Sequence, residues 1–242
     1  MSKKSTNFSL FVLVFTTGFS FITFFNAFAN PADTVIAFDM HKVFMEQNFL
    51  SLGWSLVKKY PGTALKTLVN PVAWHRIAKL KTKKVGETVM RKLDKRLLEE
   101  FQKLSLKEAF MMETVKIIQE LKAAGYRLYV LSNCEETTYK KLQEAHPTIF
   151  SLFNGAYLPS ATNKYNHKPN HSFYKEFQTY LNQQGLGGKK ILFIDDRKEN
   201  INAANTVAAG FTGIQFVSAK KLRKDLDTMK ILSFNQPALI KA

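Results

Sequence analysis

Residues 34–44 read TVIAFDMHKVF, an apolar, β-favouring run that ends on a carboxylate. Thr34 to Phe38 has the composition of a short buried strand, and Asp39, His41 and Lys42 follow at once. In α/β enzymes a polar residue at the C-terminal tip of a buried strand faces the crevice where ligands bind. A carboxylate placed there is a candidate nucleophile or metal ligand.

The same pattern recurs along the chain. Arg127–Leu131 is a second buried strand, followed by Ser132 and Asn133. Lys190–Ile194 is a third, capped by Asp195 and Asp196, and Thr212–Val217 is the last. Helices are expected between them. Ser105-Leu106-Lys107-Glu108 has the form of a capping box, with Met111, Val115, Ile118 and Leu121 as the apolar face behind it and Gly125 as its stop. Further helices are expected at 137–145, 173–181 and 199–209, the last stopped by Gly210. Residues 154–170 read as loop, Gly185–Gly188 as a turn, and Lys220–Lys224 as a solvated helix face. Strands alternating with helices imply an α/β fold with a parallel sheet covered on both faces. Asp39, Ser132 and the Asp195–Asp196 pair then meet on one sheet edge.

Between the first two strands the chain changes character. Residues 45–104 are lysine-rich with helical spacing, as in Val89, Leu93, Leu97 and Phe101, and carry breaks at Tyr60-Pro61-Gly62 and Asn70-Pro71. They read as a small all-helical insert. Its Lys79, Lys81, Lys83 and Lys84 lie beside Trp74 and His75 and read first as a solvated face. The cluster could also steer an anionic substrate, and no nucleic-acid motif accompanies it.

The chain has 242 residues, 45% hydrophobic and 22% charged, within the range of soluble globular proteins. Lys3 and Lys4 precede an apolar run from Phe8 to Phe25, and Ala27-Phe28-Ala29 has the small-x-small form of a signal-peptidase site. Residues 1–29 are therefore expected to be a signal peptide, with export to a periplasm or the outside of a bacterial cell. The alternative is a retained N-terminal anchor. Cys134 is the single cysteine, which excludes an internal disulfide, and is expected to be buried and inert. A net charge of +16 favours anionic partners.

Asp39, Asp195 and Asp196 at one edge would repel one another unless a cation sat among them, and hard oxygen donors suit Mg²⁺. Ser132 offers a hydroxyl, Ser132 and Asn133 offer backbone N–H groups, and Lys168 of His167-Lys168-Pro169 offers a positive charge. This set suits phosphoryl transfer through an aspartyl phosphate.

With these residues in view, the chain resembles the haloacid dehalogenase (HAD) superfamily from residue 34 to 217. Phe38-Asp39-Met40-His41-Lys42-Val43 stands for the first motif, LYVLSN with Ser132 for the second, Lys168-Pro169 for the third, and ILFIDDRKENINAA with Asp195, Asp196 and Asn200 for the fourth. The resemblance implies a Rossmann-like three-layer core made of 30–44 and 105–242, with 45–104 as a helical cap. It implies Asp39 as nucleophile and metal ligand, and Ser132, Asn133 and Lys168 on the phosphoryl oxygens. Asp195, Asp196 and the backbone carbonyl of His41 would complete a Mg²⁺ site. The substrate class implied is a phosphorylated small molecule, with no nucleic acid and no membrane span after signal cleavage.

The departure is His41. The first motif of family phosphatases has there a second acid, which protonates the leaving group and activates water. General acid–base catalysis is worth about 10² to 10⁴ in rate. A histidine side chain can carry a proton near neutrality and so can substitute. The resemblance thus leaves three readings: a histidine-assisted phosphatase, a weakly active or inactive binding protein, and a hydrolase of another C–X bond, as in the dehalogenases. Lys164 competes with Lys168 for the third motif. His75, His146 and His171 show no ligand spacing, and His167 is expected in solvent.

Overall fold

A computed structural model describes residues 30–46, 103, 106–134, 136–207 and 210–232. The expected signal peptide, almost all of the expected cap with Trp74, His75 and its lysines, and Ser105 lie outside the described residues. Five strands form one parallel sheet: β1 (Thr34–Phe38), β2 (Arg127–Leu131), β3 (Gly155–Tyr157), β4 (Lys190–Asp195) and β5 (Phe211–Gln215). Their order is β3-β2-β1-β4-β5, so the opening stretch is the central strand. Every residue of β1 is buried. It pairs Val35 with Arg127 and Phe38 with Val130 on one side, and Thr34 with Lys190 and Phe38 with Ile194 on the other.

Successive side chains of a strand point to opposite faces, and two cores result. Ile36, Phe38, Leu128, Val130, Leu192 and Ile194 pack under α1 (Met112–Ala123) and α6 (Ala219–Thr228). Val35, Ala37, Tyr129, Ile191 and Phe193 pack under α4 (His171–Gln183) and α5 (Lys198–Val207). The remaining α-helices among the described residues, α2 (Glu136–Ala145) and the single turn α3 (Pro147–Phe150), lie between β2 and β3 in the chain. This is the Rossmann-like three-layer arrangement expected. Among the described residues no helix is long and apolar enough to cross a membrane.

Several local expectations are corrected. The helix after the insert starts at Met112 with Met111 as its N-cap and no side-chain cap. Glu108 therefore caps nothing. Glu46 N–H donates to Ala109 O (2.8 Å) and Met111 N–H to Phe44 O (2.9 Å). The two arms of the insert thus leave the core as an antiparallel pair, and 109–111 is too extended to begin a helix. Met45, expected in the cap, is fully buried in the core.

The stretch read as loop from 154 to 170 contains β3. Gly155 is required there by close approach, since a Cβ would come within 2.7 Å of the Tyr180 hydroxyl and 3.0 Å of the Tyr129 ring. The last strand ends at Gln215, and Val217 is exposed. The basic tail is a helix with Lys220, Lys221 and Lys224 outward. Its Leu222 and Leu226 are buried, and Arg223 makes a bidentate pair with Glu120 at 2.8 and 3.0 Å. Cys134 is buried, as expected.

Candidate active site

Asp39 follows β1 directly, and its N–H donates to Ile194 O (2.8 Å), which continues the ladder one residue past the strand. The chain then folds back on itself. The N–H groups of Val43, Phe44 and Met45 all donate to the Met40 carbonyl (3.3, 3.1 and 3.0 Å), and Lys42 turns through a positive φ of 62°. This tight loop buries Met40, Val43 and Phe44 and leaves His41 half-buried at the rim, next to the buried Asp39. Among the described residues no backbone hydrogen bond ends on the His41 carbonyl.

Lys168 is brought in by Asn133. The Asn133 side chain accepts from Lys168 N–H (2.8 Å) and donates to Lys168 O (2.9 Å). The ammonium, 2% exposed for the whole residue, donates to Asp195 Oδ2 (2.6 Å) and Leu131 O (2.7 Å) and lies 3.0 Å from Asp39 Oδ1. It also lies 5.2 Å from the centre of the Phe193 ring. An ammonium has three N–H donors, and these three oxygens use them. Lys168 therefore holds Asp39, and in this arrangement it has no donor left for phosphoryl oxygens. Lys164 sits at a loop position with a φ of 54° and takes no part in this cluster.

Burial works to lower the Lys168 pKa, but the Asp195 and Asp39 carboxylates outweigh it and the net direction is up. Burial raises Asp195, to about 6, against the pull of Lys168 and with the help of Asp39. Both shifts leave the pair charged at neutral pH. Asp196 is also raised, by burial first and then by Asp39.

One carboxylate oxygen from each of Asp39, Asp195 and Asp196 lies within 4.8 Å of the others. Three carboxyl groups meet one ammonium in this cluster, an excess of acidic groups that suits a divalent cation. The residues therefore fit a metal ion, though not equally. Asp195 Oδ1 accepts from Arg197 N–H (2.8 Å) and Asn200 Nδ2 (3.0 Å), and Oδ2 from Lys168 and Asn200 Nδ2 (2.9 Å). Asp195 is thus the anchor of Lys168, and Asp39 and Asp196 are the carboxylates better placed to receive a cation.

Ser132 is buried at the tip of β2, and its Oγ accepts from Cys134 N–H (3.3 Å). The Ser132 N–H points to Tyr157 O at 3.4 Å, along the β2–β3 ladder, instead of serving the anion site as expected. The Asn133 side chain, whose clamp on Lys168 was not foreseen, is committed to the scaffold.

The sequence offered Glu108 only as a capping residue and gave no sign of it as a partner of His41. His41 Nε2 lies 3.2 Å from Glu108 Oε2, a carboxylate oxygen shut off from solvent. Tyr174 was missed too: its hydroxyl donates to Asn200 O (2.9 Å), and burial raises its pKa, with Asp195 and Asp39 adding to the effect. The other described histidines lie apart from the cluster. His167 Nδ1 contacts Tyr165 O (3.2 Å), His146 packs on the Phe110 ring with Nε2 at Leu106 O (3.3 Å), and His171 meets Thr206. His167 is half-buried, not solvated as expected.

A parallel sheet whose central strand delivers a lysine-paired carboxylate, with two more from the neighbouring strand, defines a doubly wound α/β scaffold with an acidic site at the carboxyl edge of its sheet. The model of the haloacid dehalogenase-like hydrolases matches residues 39–214, and the chain belongs to that family. A sesquiterpene phosphatase of Aspergillus oryzae is 27% identical over 103 residues, 43% of this chain and 48% of that protein, so the chain spans about half the length of this curated relative. Three solved structures share the fold. A hydrolase of Streptococcus pneumoniae TIGR4 is 18% identical, with a TM-score of 0.51 over 82% of this chain and 100% of that one. The magnesium-bound HAD-hydrolase YfnB of Bacillus subtilis is 13% identical, with 0.52 over 82% and 100%. A HAD-family hydrolase of Deinococcus radiodurans R1 with bound phosphate and sodium is 14% identical, with 0.52 over 84% and 99%.

Proposed function

We propose that the protein is an exported, Mg²⁺-dependent phosphatase that hydrolyses a phosphoric monoester of a small molecule through an aspartyl phosphate on Asp39. The observation that carries this reading is the buried Lys168 ammonium shared by Asp39 and Asp195. Its contact with Asp39 Oδ1 holds and aims that carboxylate, as a nucleophile requires. The distant likeness to a phosphatase supports the reading.

In the first step an oxygen of Asp39 forms a bond to phosphorus, the ester P–O bond breaks, and the leaving alkoxide takes a proton. In the second, water adds to the phosphoryl group, gives up a proton, and Asp39 leaves as the carboxylate. His41 is the group for both proton transfers, and Ser132 Oγ with the Asn133 N–H receives the phosphoryl oxygens. Asp39, Asp196 and the His41 carbonyl would hold Mg²⁺, which would supply charge neutralisation at the developing oxyanion. Residues 45–104 serve as the cap that selects the substrate, and the basic charge of the chain draws an anionic one.

Assay against a panel of phosphate monoesters with Mg²⁺ from pH 5 to 8 tests this, with Asp39→Asn as the control. Turnover no higher than the control throughout would favour the binding-protein reading. His41→Asp is expected to move the pH optimum of kcat. An unchanged profile would remove His41 from proton transfer, and activity arising only in the variant would mark the natural protein as non-enzymatic. Mg²⁺ at about 100 times its Kd is expected to stabilise the fold by about 2.7 kcal/mol, a rise in Tm of about 5 °C or more. Asp39→Asn should lose most of that rise, and an equal rise in both proteins would place the metal elsewhere.

A further inference from the structure

We propose that Glu108 is a positioning residue that fixes the imidazole of His41, so that the acid absent from the first motif is replaced by a histidine–glutamate couple. The inference rests on the phosphatase reading, with His41 as its proton-transfer group. Glu108 lies just before the return arm of the insert, where 109–111 pairs with 44–46, and His41 lies in the loop those same residues close. Both arms are thus tied to each other by backbone bonds before any side chain is considered. That pairing sets His41 Nε2 3.2 Å from Glu108 Oε2, with side chains only 19% and 14% exposed.

Among the described residues Glu108 Oε2 has no aligned hydrogen-bond partner, and it is closed off from water. A buried carboxylate oxygen left without a donor is costly, and a small rotation of the neighbouring ring supplies one. An ionised carboxylate only accepts, so Nε2 must carry the hydrogen. In neutral His41 this selects the Nε2–H tautomer and leaves Nδ1 as the nitrogen free to exchange a proton with water or a leaving group. A histidine without such a partner would sample both tautomers and several ring orientations.

Two readouts test the proposal at one fixed pH, with the full mature chain and Mg²⁺. In the first, Glu108→Ala is expected to lower kcat about tenfold or more but by less than the about 10² to 10⁴ that the whole acid–base group supplies, with KM changed less than about twofold. Glu108→Gln keeps an acceptor oxygen and should restore most of kcat. Unchanged kcat in a folded Glu108→Ala protein, or failure of Gln to restore it, would overturn the positioning role. In the second, nitrogen-15 NMR of the neutral His41 ring should show the Nε2–H form in the wild type and a mixture in Glu108→Ala. The same spectrum in both overturns the proposal. The NMR readout needs no turnover, so a wild type without activity defeats the phosphatase reading while the hold of Glu108 on His41 is still decided.

Discussion

Asp39→Asn is expected to lower phosphate-ester turnover by about 10⁴-fold or more while leaving the protein folded. Asparagine is nearly isosteric, keeps the backbone bond to Ile194 O and still offers an oxygen toward Lys168. What it lacks is the charge and nucleophilicity to bond phosphorus and depart again. Enzymes accelerate their reactions by about 10⁶ or more, and loss of a covalent nucleophile leaves only what binding and oxyanion stabilisation supply. Stability should move little, because two effects oppose. Lys168 loses one of two counter-charges, but Asp195 and Asp196 lose the carboxylate whose repulsion raises both of their pKa values. The measurement is a pair of initial-rate curves on the same panel of esters, with urea unfolding of each protein. Equal rates would show that any activity arises away from β1.

The core strands were legible because a central parallel strand must be apolar on both faces. Thr34–Phe38, Arg127–Leu131 and Lys190–Asp195 each announce themselves as a short apolar run with a polar tip. The tips, not the strands, carry the chemistry, so reading the strands also located Asp39, Ser132 and Asp195. β3 was not legible. It has three residues, and its Gly155 is chosen by the Tyr180 and Tyr129 rings that crowd it, a cause that exists only in space. Glu108 was hidden by a local pattern that fitted something else. Ser-x-x-Glu before an apolar helix is a sound capping signal, but antiparallel pairing with 44–46 holds the chain extended and hands the carboxylate to His41. The adjacent Asp195 and Asp196 looked equivalent in sequence. Strand alternation separates them, sending the first inward to Lys168, Asn200 and the Arg197 N–H, and leaving the second half-buried at the edge.

Lys168→Met carries the largest expected cost in stability, about 3–5 kcal/mol at neutral pH, the range for breaking a buried ion pair from one side. Methionine fills much of the volume over Phe193, so the loss is electrostatic and not a cavity. Leu131 O and Asp39 Oδ1 lose a donor, and Asp195 keeps only those from Asn200 and Arg197. The cost should depend on pH with a definite sign. Burial, the largest cause, raises Asp195 from 3.8 to about 6 in the fold. For a carboxyl with a raised folded pKa, the contribution to stability is fully present below the unfolded value and is lost as pH rises through the folded one. Lys168 is the main influence pulling Asp195 down, so its removal lifts that pKa further and extends the losing window upward. The destabilisation of Lys168→Met relative to wild type should therefore be smaller near pH 5 than near pH 8. Denaturant unfolding of the metal-free proteins at those two values decides the point. A penalty independent of pH would mean that packing around Lys168, and not the charge it shares between Asp39 and Asp195, holds this edge of the sheet together.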